Sequence, residues 1–219
     1  SLNAKMKVGN YENVIDQIFN TQRLARQLPK NEWRDFDLNL KLALSYAELR
    51  QAELGIDIIN QIDTLENFRG WKKGKYFMVS AQLYARSGNQ KKAAEYMKIP
   101  YDILKEAYEE KMFEYITKND LLNDLNGLLM FTQSNLAKYY SEQNNNTNAM
   151  NYLNELEEIL EDNSGIFHLF VIDIYYNMAL TYRSLDNKKA YNKYLNVAFD
   201  EITKISNRLN DEHKQTYLN

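Results

Sequence analysis

Apolar residues recur along the chain at three- and four-residue intervals over runs long enough for helices, and short polar stretches rich in Gly, Asn and Asp separate the runs. The clearest block is Tyr76 to Met97, YFMVSAQLYARSGNQKKAAEYM. Ala81 precedes Tyr84 by one helical turn, and Gly88-Asn89 stands where a helix should stop. Ala93 and Met97 then fall on one face of the next helix. The block predicts a helix, a tight turn and a second helix.

The same order returns three times. It is found at Ala43 and Tyr46 with Gly55, Ile59 and Ile62, and at Ala137 and Tyr140 with a polar turn from Gln143 to Asn148 and then Ala149, Leu153 and Leu156. It is found again at Ala179 and Tyr182, where the turn Leu185-Asp186-Asn187 reads as one residue shorter and Ala190, Tyr194 and Val197 come next. A small residue at each crossing lets two helices approach closely, while the tyrosine fills the space beside it. Near the start, Gly9-Asn10 and Val14 match Gly88-Asn89 and Ala93, leaving almost no room for a first helix. The sequence therefore reads as a fragment of a longer protein that begins inside a repeat.

From Ala43 to Ala81, Ala81 to Ala137 and Ala137 to Ala179 the steps are 38, 56 and 42 residues. Helices about a turn longer than usual absorb the first and last. The middle step requires two long helices meeting near Lys118-Asn119-Asp120, or an added helix. Pro29 marks a stop, residues 64–75 with Gly70 and Gly74 read as a longer connection, and Pro100 predicts a kink or short break at Ile99-Pro100. That leaves 90–118 as one kinked helix or two. After Phe199 an amphipathic polar tail reads as a cap or linker. The expectation is one all-α domain over 1–219 with about five repeats: a partial one in 1–30, then 31–65, 71–116, 119–162 and 165–208.

Composition narrows the partners more than the fold. Hydrophobic residues make up 44% and charged residues 26%, and only 2 Pro and 7 Gly are present to interrupt helices. A net charge of −3 gives no positive field for a phosphate backbone, so nucleic-acid binding by this segment is not expected. With no Cys there is no disulfide framework or thiolate, and the compartment stays open between cytoplasm and periplasm. No apolar run reaches the roughly 18–20 residues of a membrane span.

The segments Leu42-Ala43-x-x-Tyr46, Ser80-Ala81-x-x-Tyr84, Leu136-Ala137-x-x-Tyr140 and Met178-Ala179-x-x-Tyr182 resemble the tetratricopeptide repeat family, which has Leu-Gly-x-x-Tyr there. The resemblance covers nearly the whole chain. The repeats are longer than the family's, the closing proline is missing, and the early Trp position holds Asn39, Phe77, Gln133 and Tyr175. Loose, long repeats of this kind are similar to those of bacterial regulators, where such arrays are joined to a sensor kinase or a helix-turn-helix domain.

The resemblance implies a right-handed superhelical array of antiparallel helix pairs whose first helices line a concave groove for a protein or peptide. Carried onto this sequence, the groove-facing positions include Glu48, Lys75, Gln82, Arg86, Phe131, Lys138, Glu142, Tyr176 and Arg183, together with Asp37, Leu40, Met78 and Ser134. Arg86, Lys138 and Arg183 fall near one line and would suit an acidic or carboxylate-bearing ligand. The plainer reading makes them solvated charges balanced by Glu48 and Glu142. The expected role is a protein- or peptide-binding module, the sensing or scaffolding region of a bacterial regulatory or signal-transduction protein. The alternatives are the signalling-peptide receptor domain of a transcriptional regulator, or a self-association module giving a homodimer.

Little else points to chemistry. His168 and His213 are the only histidines and have no metal-ligand spacing around them. The run Gly70-Trp71-Lys72-Lys73-Gly74-Lys75 is one residue short of a phosphate loop and has Tyr76 where Ser or Thr is needed. Glu109-Glu110, Glu157-Glu158 and Glu161-Asp162 read as solvated helix faces, and the Tyr stripes as core or groove lining. No catalytic residue, cofactor or metal is expected, and the chain reads as a non-enzyme.

Overall fold

The computed structural model describes residues 10–25, 32–62, 70–109, 121–162 and 170–207. All the regular structure among them is α-helical: α1 (Tyr11–Ala25), α2 (Glu32–Glu48), α3 (Ala52–Asn60), α4 (Gly70–Arg86), α5 (Gln90–Glu109), α6 (Leu121–Glu142), α7 (Asn146–Asp162), α8 (Val171–Ser184) and α9 (Lys188–Ser206). Neighbouring helices pack against one another, and the chain divides into two compact units, residues 1–89 with 205–219, and residues 90–204.

The four tyrosines of the repeated motif set the register of four helix–turn–helix units. Four residues after each, the backbone turns left-handed, at Arg50 (φ 61°), Gly88 (88°), Asn144 (59°) and Asp186 (56°). The next amide donates back to the tyrosine carbonyl: Gln51 to Tyr46 and Asn89 to Tyr84 at 2.8 Å, Asn145 to Tyr140 and Asn187 to Tyr182 at 2.9 Å. This is a Schellman closure, which satisfies carbonyls that the end of a helix otherwise leaves open. The second helix always begins six residues after the tyrosine, at Ala52, Gln90, Asn146 and Lys188. Asn145 and Asn187 cap it, their side-chain oxygens accepting from the amides of Asn148 and Ala190.

Several expectations are corrected. The turn after Tyr182 is not shorter than the others, so Tyr191 rather than Ala190 is the counterpart of Ala93. Residues 70–75 lie inside α4 instead of forming a connection, and this rules out a phosphate loop there. Helix α5 runs from Gln90 to Glu109 through Pro100, so the expected break at Ile99-Pro100 is absent; the buried ring is held in the packing although its missing amide and its crowding of the preceding turn both cost energy. The long middle step is taken up in part by the 20 residues of α5 and the 22 of α6. The expected features at Gly9, Pro29, residues 64–69, residues 110–120, His168, His213 and the tail from 208 lie outside the described residues.

In the first unit, α1 packs on α2, α2 on α3, and α4 on both α2 and α3. Val14, Ile15 and Ile18 of α1 meet Leu38 and Leu42 of α2, with Tyr46, Leu49 and Ile58 packed against them. Gly55 brings α3 hard against α2: a Cβ there would stand 2.4 Å from Leu83 Cδ2 and 2.6 Å from the Ala43 carbonyl oxygen.

In the second unit, α6 packs against α5, α7 and α8. From Leu129 to Ala137 it is buried on every side, polar residues included. Thr132, Ser134 and Asn135 turn their side chains onto the carbonyls of their own helix, and Asn135 also accepts from the Tyr139 hydroxyl. Tyr194 of α9 stacks between Tyr182 and Tyr175 of α8, with centroid separations of 5.6 and 6.2 Å.

Candidate interaction surface

The expected groove residues behave differently in the two units. In the first, Asp37 and Glu48 of α2 occupy the same register positions as Lys75 and Arg86 of α4, nine before and two after the motif tyrosine, and each pair is joined. Arg86 meets Glu48 at 2.5 Å, and Lys75 meets Asp37, which also takes Lys41 at 2.6 Å. Burial works against the Asp37 carboxylate, but its bonds from the two lysines outweigh it and hold the pKa below the ordinary 3.8. Lys75 and Arg86 therefore tie α4 to α2. Gln82 is half-buried on α4.

In the second unit Phe131 is buried, with its ring 4.7 Å from that of Phe170, so it offers no surface to a ligand. The reason is packing between successive first helices. The same α6 face carries Ser134, which accepts from Asn177 of α8. Lys138 is half-buried and Glu142 exposed, one turn apart. Although Glu142 keeps much of its surface open, partial desolvation against the helices raises its pKa from the ordinary 4.5, with Lys138 acting in the opposite direction. Arg183 is exposed, and neither it nor Lys138 makes an ion pair among the described residues. The expected line of cations is divided between the units, with Arg86 in the first and Lys138 and Arg183 in the second.

Tyr176 differs from its counterparts. Six residues before the motif tyrosine, Leu40, Met78 and Ser134 are 1%, 8% and 0% exposed, whereas Tyr176 is 47% exposed. Thirteen residues after the tyrosine, Ile59, Met97 and Leu153 are buried, whereas Leu195 is only partly so. Between α8 and α9 these openings merge into an apolar groove of about 420 Å³ lined by Ile172, Tyr176, Leu195, Asn196, Ala198, Phe199 and Ile202. The sequence held a signal for it, since Leu195, Phe199 and Ile202 repeat at four and three residues, although the stretch from Phe199 reads as a polar tail.

Two carboxylates are joints between helices: Glu157, which reads from the sequence as part of a solvated face, and its neighbour Glu155. Glu157 of α7 accepts from the hydroxyls of Tyr182 at 2.8 Å and Tyr194 at 2.5 Å. Glu155 accepts from Tyr101 at 2.8 Å, Lys105 at 3.2 Å and Gln133 at 3.3 Å. Burial opposes the Glu155 charge, yet the bonds from Tyr101 and Lys105 bring its pKa below the ordinary 4.5. Burial, with the nearby Glu155, pushes Tyr101 up to about 12. These clusters hold α5, α6 and α7 together and α7 to α8 and α9. Compared with known proteins, the chain matches no family model and no curated sequence.

Proposed function

We propose that the chain is a tetratricopeptide-like interaction module that binds a protein partner through helix-docking surfaces. One observation carries the reading: the open apolar groove of α8 and α9, with Tyr176 and Phe199 exposed at positions where a solvated helix would place polar residues. Tyr offers a large contact area at low entropic cost, which suits a docking face. Arg183, exposed on the same α8 helix, adds a cation for an acidic residue of the partner. The superhelical arrangement and the setting in a bacterial regulatory protein are part of this proposal and rest on the motif resemblance.

The test is capture of partners from the source cell by the wild-type chain and by Tyr176→Ala and Lys138→Glu/Arg183→Glu variants whose helicity is intact. A species held by the wild type and lost by a folded variant supports the reading. Identical capture by all three excludes this surface as the binding site.

A further inference from the structure

We draw no further inference here: the strongest candidate, the open apolar face between α8 and α9 around Tyr176 and Phe199, with Asp173 and Asp200 exposed beside it, carries nothing because nothing in the structure shows what covers it.

Discussion

Gly55 on α3 stands so close to Ala43 on α2 that a Cβ on the glycine would lie 2.6 Å from the alanine carbonyl oxygen. The obstacle is backbone, which does not swing aside as a side chain does. The matching positions in two other repeats are Ala93 and Ala149, both buried. This hairpin is therefore tighter than the alanine spacing alone implies. Gly55→Ala is expected to lose about 1–3 kcal/mol of stability, in the range of overpacked cores, despite alanine's better helix propensity. Urea denaturation checks it, and an unchanged or higher midpoint would refute the close approach.

The left-handed turn residues give a prediction of opposite signs. Glycine takes that conformation freely, whereas Arg50 holds it at φ 61° with a Cβ in the way. Arg50→Gly should therefore raise stability by about 0.5–1 kcal/mol, and Gly88→Ala should lower it by about 1 kcal/mol. Paired melting curves decide it. Shifts in the same direction would mean that the shared turn geometry is wrong.

How much of this is legible in the sequence depends on the range of the interaction. The Ala-x-x-Tyr motif and the Asn and Gly residues after it act within a few residues, so hairpins can be read from Tyr46, Tyr84, Tyr140 and Tyr182 directly. Phe131 and Ser134 cannot be placed that way, because their burial comes from α8, some forty residues onward. Gly70 and Gly74 point to a loop by local preference, yet packing of the rest of α4 against α2 and α3 carries the helix back through them. Pro100 likewise lies in a helix held by neighbours.

Glu157 makes a joint between α7 and the two helices after it. Glu157→Ala removes the acceptor of both tyrosine hydroxyls and should cost about 1–3 kcal/mol, the usual range when buried donors are left without a partner. Burial, and then the bond to Glu157, pushes the Tyr182 and Tyr194 hydroxyls above the ordinary 10. Their contribution to stability is present below pH 10 and lost as pH rises through the higher folded values. Absorbance titration of the 17 tyrosines should show part of the tyrosinate signal appearing only as the chain unfolds. Ionisation completed while the chain is still folded would contradict the buried joint.

Acid should weaken the fold through Asp37 and Glu155. Both carboxyls sit below their ordinary values when folded, so their stabilisation is present above the unfolded pKa and lost as pH falls through the folded one. Glu142 is raised and acts the other way, its contribution fading as pH climbs past the folded value. Stability should therefore drop below about pH 4, and Asp37→Asn should flatten that limb while lowering the plateau above it. An acid limb of unchanged slope in Asp37→Asn would exclude the Lys41–Asp37–Lys75 cluster as its source.

The invariant six-residue run from motif tyrosine to helix start makes each hairpin tip an interchangeable fitting. Helices of 9 to 22 residues meet it with the same backbone bond, so the fitting does not depend on the length of the rods it joins. A chain assembled this way can gain or shed turns of helix, and with them reach, while every elbow keeps its bend.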